Sequence, residues 1–216
     1  MDNQPTVHVV DDDPQVRESL NLFMRSVGFD TKVYDSAEAF LDAYEDATGP
    51  PRCLILDVRM PGLSGLGLQK RLVDHGINVP TIIITGYGDV SMAVKAMGTG
   101  AIDFIEKPFS RQALLTRVQE AIDRDAARRR LQAQRTDVNI RLDSLSHRER
   151  EVMDLLVIGN SAKQIAAKLK IGEKTVAKHR ARVFSKMRVD SVAALVHLAY
   201  SCDIPVPGLD IEPIWS

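Results

Sequence analysis

Five short apolar runs alternate with apolar stripes at helical spacing, and this alternation restricts the possible folds more than any other feature of the chain. The runs are Val7–Asp11, the weaker Lys32–Tyr34, Cys53–Leu56, Thr81–Ile84 and Ala101–Ile105. Each has strand length and too few residues for a helix of several turns. Between and after them lie five stripes. The first is Val16, Leu20, Phe23, Met24 and Val27, closed by Gly28. The second is Ala39, Phe40 and Ala43 behind the capping candidate Ser36. Leu68, Leu72 and Val73 follow Ser64; then come Val90, Ala93, Val94 and Met97; Leu114, Val118, Ala121 and Ile122 follow Ser110. Five successive βα units predict an α/β domain, a five-stranded parallel sheet wound on both faces by helices.

In such a sheet, ligands gather at the carboxyl ends of the strands. Those ends carry Asp11-Asp12-Asp13, Asp57, Thr85 and Lys107. They converge on one crevice if the first strand is central. Three adjacent carboxylates repel, and each is costly to bury unpaired. A hard divalent cation removes that cost, because Mg2+ takes oxygen ligands and keeps several waters. Asp57, alone at a strand end, is placed as a nucleophile toward a phosphoryl group. Lys107 can neutralise phosphoryl oxygens, and Thr85 can donate to one of them. Asp13 is the member of the triplet best suited to a capping role.

Composition sets wide bounds. The 216 residues are 44% hydrophobic and 26% charged, as in soluble globular proteins. No apolar run approaches the roughly 18–20 residues that span a bilayer. The N-terminal segment MDNQPTVHVV has neither a basic stretch nor an apolar signal region. Cys53 and Cys202 are far apart in sequence and fit reduced thiols, so a cytoplasmic location is expected. Residues 1–123 hold 11 basic and 18 acidic side chains, a net −7; residues 124–216 hold 17 and 11, a net +6. That asymmetry suggests two domains with different partners.

The basic half reads as helical. Residues 124–143 are charged, without Gly or Pro, and predict a helical linker that continues the preceding helix and frays. Ser146 and Glu149 form an S-x-x-E capping box ahead of Val152, Leu155, Leu156 and Ile158. A second helix starts at Ser161 and carries Ile165, Ala166 and Leu169. After Lys170-Ile171-Gly172, a third runs from about Glu173 to Met187; a fourth carries Val192, Leu195, Val196 and Ala199. Two short helices joined by a Gly-containing turn predict a helix-turn-helix. On the third helix, Val176, Val183 and Met187 share the core face. Lys174, Ala177, Lys178, Ala181 and Ser185 lie opposite, flanked by His179 and Arg182. Small residues allow close approach to a major groove, and Lys or Arg can bond guanine edges or phosphates. Between residues 160 and 188 stand nine basic side chains and one acid, Glu173. The candidate DNA contacts are Lys163, Lys174, Thr175, Ala177, Lys178, His179, Ala181, Arg182 and Lys186.

The motifs VVDDDP, LILDVRMPGLSG, TIIITGYGD and GAIDFIEKPF together resemble a response-regulator receiver domain, with a flavodoxin-like sheet. The resemblance implies that Asp57 accepts phosphate from a sensor histidine kinase. It implies Mg2+ (or Mn2+) held by Asp11, Asp12, Asp57 and the backbone carbonyl of Arg59. It makes Thr85 and Phe104 a switch pair, gives Lys107-Pro108 a cis bond, and places a dimer face around Ala93, Met97, Phe104 and the last receiver helix. Arg59 and Tyr87 stand near enough to influence the phosphoryl lifetime. The segment LSHREREVMDLLVIGNSAKQIAAKLKIGEKTVAKHRARVFSKMRVDS resembles a LuxR-type four-helix DNA-binding domain, with recognition helix 173–187 and a pairing helix from Asp190. Gly172 replaces a frequent Ser or Thr cap, and Ala162 a frequent Asn. The expected division is receiver 5–123, helical linker 124–143, DNA-binding domain 144–202 and irregular tail 203–216.

Taken whole, the chain resembles the FixJ-like regulators. That implies a non-enzymatic transcription factor, switched by phosphorylation into a homodimer on promoter DNA, acting as an activator with RNA polymerase as a partner and having no membrane partner. Two alternatives stand beside it. DNA binding could be independent of phosphorylation. Alternatively, the Asp and Lys could serve a Mg2+-dependent phosphohydrolase, although Arg59 stands where such an enzyme needs a second acid and no cap insertion is present.

Overall fold

The computed structural model describes residues 4–44, 49–86 and 90–207, the side chains of Val90 and Ser91 excepted. The expectations for Tyr87 and for most of the tail, 208–216 with Trp215, lie outside the described residues. The chain divides into two compact units, 1–130 and 131–216.

In the first unit, strands β1 (Thr6–Val10), β2 (Asp30–Tyr34), β3 (Arg52–Asp57), β4 (Thr81–Thr85) and β5 (Asp103–Glu106) alternate with helices α1 (Pro14–Ser26), α2 (Ala37–Ala43), α3 (Gly65–Asp74), α4 (Val90–Gly98) and α5 (Arg111–Asp143). The sheet is wholly parallel, in the order β2-β1-β3-β4-β5. β1 is therefore internal, and the strand order reverses between β1 and β3. Alternate residues feed two cores. Val7, Val9, Cys53, Ile55, Ile82 and Ile84 pack with α1 and α5. Val10, Leu54, Leu56 and Ile83 pack with α2, α3 and α4. With both faces covered, β1, β3 and β4 are buried almost throughout rather than at alternate residues. Burial also pushes the Cys53 thiol far up, so it stays protonated and inert.

The helices begin where short polar side chains can accept backbone N–H groups. Asp13 caps α1 by accepting from Gln15 N at 2.8 Å, with Pro14 in the first turn. Ser36 caps α2 and Ser64 caps α3.

α5 runs unbroken for 33 residues. The sequence predicted a helical linker that frays; the segment is helical through Asp143, with contacts at Asp125 in the first unit and at Val138 and Leu142 in the second. Asp125, fully buried, accepts from the Arg52 backbone N at 2.8 Å, and its two oxygens pair with Arg128 and Arg129 at 2.7 and 2.5 Å. Further on, Val138 and Leu142 enter the second core. The division between the units falls inside this helix, between Arg130 and Leu131.

The second unit adds α6 (His147–Val157), α7 (Ala162–Leu169), α8 (Glu173–Met187) and α9 (Val192–Ser201). Val152, Met153, Leu156, Ile165, Val176, Val183, Met187, Leu195 and Ala199 form its core. The first residues of the expected irregular tail also belong to it. Ile204 and Val206 are buried, Asp203 pairs with Arg135 at 2.5 Å, and the Pro205 carbonyl accepts from Arg150 at 2.7 Å. Among the described residues, no helix is long and apolar enough to cross a membrane.

An aromatic cluster seals the first unit between β1, β2 and α2. His8 is 4% exposed, stacked on Tyr34 and edge-on to Phe40 and Tyr44. Burial first, then the nearby charges of Arg52 and Lys32, lower its pKa from 6.5 to about 4. The unfolded chain thus takes up a proton that the folded chain refuses. This contribution is complete above pH 6.5 and is lost as pH falls to about 4. In urea melts from pH 7 to pH 4, the wild type should lose about 3 kcal/mol more than His8→Phe. Parallel losses in the two proteins would exclude this account.

Candidate phosphoacceptor site and nucleic-acid interface

The reversal of strand order opens a crevice between the carboxyl ends of β1 and β3. Asp11, just beyond β1, is 1% exposed, and Asp57, the last residue of β3, is 6% exposed. Lys107 follows β5 and reaches both: its Nζ lies 2.8 Å from Asp11 Oδ2 and 2.8 Å from Asp57 Oδ1. The remaining oxygens also have donors. Asp13 N donates to Asp11 Oδ1 at 2.9 Å, and Arg59 N donates to Asp57 Oδ2 at 2.6 Å. Burial pushes the Asp11 carboxyl up against the pull of Lys107. The Lys107 ammonium, drawn down by burial, is raised on balance by its bonds to Asp11 and Asp57. Burial and a cation–carboxylate bridge thus act together on one small site.

The other expected residues surround this bridge unevenly. Asp12 is exposed beside Asp11, and Asp13 is occupied as the α1 cap. Thr85 is fully buried at the end of β4. Phe104 lies half-buried on β5, in register with Ile83, so it shares a sheet face with Thr85 two residues away. Lys107-Pro108 is cis.

Among the described residues, no three His, Cys, Asp or Glu side chains are gathered as a metal cage. A hard divalent cation does not require one: Mg2+ binds through one or two carboxylates and keeps its waters. Two buried carboxylates with an exposed third beside them fit that demand.

Two positioning residues escaped the sequence reading. Arg17, on α1, donates from a guanidinium nitrogen to the Asp11 carbonyl at 2.7 Å and so fixes the acidic loop. Gly65 opens α3 directly against the strand: a Cβ there would stand 2.0 Å from the Asp57 carbonyl oxygen. Its small size, just after the capping Ser64, was the available signal.

In the second unit the structure separates the DNA candidates. Ser161 and Gln164 form a capping box on α7, and Lys170 closes that helix in the left-handed conformation at φ 55°. α8 begins at Gly172 without a side-chain cap bond. Val176, Val183 and Met187 are buried, while Lys174, Thr175, Ala177, Lys178, Ala181 and Arg182 are exposed along the other side. Lys163 is exposed on α7, and His179 is half-buried.

Lys186 is corrected. Its ammonium turns inward and bonds Glu149 Oε2 and the Ser144 carbonyl, each at 2.7 Å. It tethers α8 to α6 and to the segment just after α5. Sequence spacing could not show this, since the partner stands 37 residues away. Glu149 is held at a pKa of about 2 by the Lys186 bond and by the Ser146 backbone N–H of the capping box.

Comparison with known proteins agrees with both halves. Residues 7–119 match the family of response regulator receiver domains, and residues 143–199 match the bacterial regulatory proteins of the luxR family. The transcriptional regulatory protein FixJ of Azorhizobium caulinodans is 43% identical over 210 residues, which are 96% of this chain and 97% of that protein. A solved structure of the response regulator StyR, 42% identical, superposes with a TM-score of 0.84 over 91% of this chain and 98% of that one. Full-length FixJ from B. japonicum, 41% identical, gives 0.55 over 93% and 98%.

Gly65→Ala should force the α3 start away from the Asp57 carbonyl. The expected loss is about 1–3 kcal/mol of first-unit stability. Unchanged urea midpoints would contradict the close approach. In the second unit, Lys186→Met should destabilise by about 1–3 kcal/mol, the lower part of that range reflecting an ammonium still 37% exposed. The Glu149 contribution is present above the ordinary carboxylate range and is lost as pH falls to about 2. Lys178→Ala should instead leave the melt unchanged and weaken DNA binding in a gel-shift titration.

Proposed function

The chain belongs to the FixJ-like two-component response regulators, and we propose that its Asp57 is the phosphoacceptor through which a sensor histidine kinase controls the luxR-type DNA-binding domain. The observation that carries this reading is the Lys107 bridge to Asp11 and Asp57. It places a buried, hydrogen-bonded carboxylate oxygen beside a cation at the switch point of the sheet.

The transfer follows from these groups. An oxygen of Asp57 attacks phosphorus while the phosphorus–nitrogen bond of the kinase's phosphohistidine breaks, and the imidazole leaves. Lys107 stays near the transferred group and offsets its negative charge. The Arg59 backbone N–H holds the second Asp57 oxygen, which fixes the carboxylate plane. Asp11, Asp12, Asp57 and the Arg59 carbonyl would hold Mg2+. When bound, that ion supplies charge neutralisation during phosphoryl transfer.

Once modified, Asp57 no longer offers the same charge to Lys107. Thr85, buried next to β3, is placed to bond the new phosphoryl oxygens, and Phe104 shares its sheet face. Modification would shift an existing equilibrium between receiver conformations. Val94 and Met97 on α4, 65% and 48% exposed, supply an apolar surface for pairing. Two linked DNA-binding domains then gain effective concentration on paired half-sites. Lys163, Lys174, Thr175, Ala177, Lys178, His179, Ala181 and Arg182 are the proposed groove and phosphate contacts, with an activating output to RNA polymerase.

Intact mass and sedimentation with Mg2+ and acetyl phosphate, beside Asp57→Asn, test this reading. We expect one added phosphoryl group and a shift to dimer in the wild type, and neither in the variant. A wild type that takes up no phosphate, yet binds promoter DNA with unchanged affinity, would establish constitutive binding instead.

A further inference from the structure

The first unit has a second polar cavity, at the opposite end of the sheet from Asp57. It measures about 370 Å³ and is lined by Thr6, His8, Asp30, Lys32, Pro50 and Arg52 among others. Thr6, Asp30 and Arg52 are the first residues of β1, β2 and β3, so this cavity lies at the amino ends of the strands. The phosphoacceptor chemistry uses none of these side chains.

Three features give it the character of a binding site. Its lining carries two cations and one carboxylate, and the cations flank β1 on one sheet face: Lys32 on β2 is in register with His8, and Arg52 on β3 with Thr6. The Arg52 guanidinium lies over the Tyr44 ring at 5.3 Å from its centre, which orients its planar fork. His8, 4% exposed, leaves its Nε2 without a hydrogen-bond partner, although buried polar atoms rarely lack one. Its Nδ1 lies 3.2 Å from the Tyr34 hydroxyl. If that hydroxyl donates, the neutral ring carries its proton on Nε2 and adds a third donor to the two cations.

We propose that this cavity binds a small organic anion. Its oxyanion, a carboxylate or a phosphate, would be held by Lys32 and Arg52 and would accept from His8 Nε2, while Asp30 would accept from a ligand hydroxyl. A volume of about 370 Å³ falls in the range of small-molecule sites. Arg and Lys together match oxyanion geometry and charge.

The test uses the full chain without Mg2+, so that anion binding at the Asp57 crevice is not favoured. Citrate and inorganic phosphate are the probes, followed by calorimetry and by the ring nitrogen resonances of His8 in a 15N-histidine sample. We expect at least one probe to bind with a Kd below about 1 mM and to move the His8 resonances. Lys32→Gln and Arg52→Gln should each weaken binding by at least about tenfold. Lys32 is exposed, so its variant tests the site without threatening the fold. Kd values above about 1 mM for both probes would overturn the proposal, as would tight binding that leaves His8 unmoved or is indifferent to Lys32→Gln.

Discussion

The first unit is organised around a repulsion that it must neutralise. Reversing the strand order between β1 and β3 brings two buried carboxylates to one crevice, and neither can remain charged there alone. The Lys107 ammonium, at 2.8 Å from each, is the counter-charge that makes the arrangement stable. Its placement depends on β5 lying at the sheet edge beyond β4. Arg17 fixes the Asp11 main chain, and the absence of a Cβ at Gly65 lets α3 start against Asp57. The same repulsion underlies the proposed metal and phosphoryl binding, because both would change the charge that Lys107 must balance.

In the second unit a single helix has two jobs, divided by its faces. α8 buries Val176, Val183 and Met187 and exposes Lys174, Lys178 and Ala181. Near its end, Lys186 leaves the exposed group and ties the helix to Glu149. A buried carboxylate needs a partner, and the nearest cation that can turn inward supplies it. The proposed DNA contacts on this helix accordingly lie in its first two-thirds, from Lys174 to Arg182.

Much of this was legible in the sequence because it rests on local rules. Period-two and period-3.6 patterns locate the strands and helices; Ser36, Ser64, Ser146 and Ser161 mark helix starts because a hydroxyl accepts N–H groups only a few residues ahead. The clustering of Asp11, Asp57, Thr85 and Lys107 followed from one topological rule about strand ends. Long-range contacts were not legible. Asp125 looked like one more charge on a polar helix, yet it is bonded to a backbone N–H 73 residues away. Ile204 and Val206 sit among prolines with no periodicity, and only the open side of the second core explains their burial. Lys186 has a helical phase at the boundary between the core and exposed faces, and its partner, 37 residues away, is one that no spacing encodes.

Asp125 also bears on how such proteins can be rebuilt from parts. Regulators of this architecture are modular, and exchange of output domains requires a joint at which the chain can be cut and respliced. The family match to the receiver ends at residue 119, and the aliphatic stripe ends at Ile122. A joint placed there would discard the carboxylate that satisfies the first backbone N–H of β3, together with both of its arginine partners. The heritable unit of the receiver thus extends at least through Arg129, well into the helix that seems from sequence to be only a connector. Exchanges that respect that limit inherit a complete sheet, whereas those that cut earlier inherit a strand with an unsatisfied end.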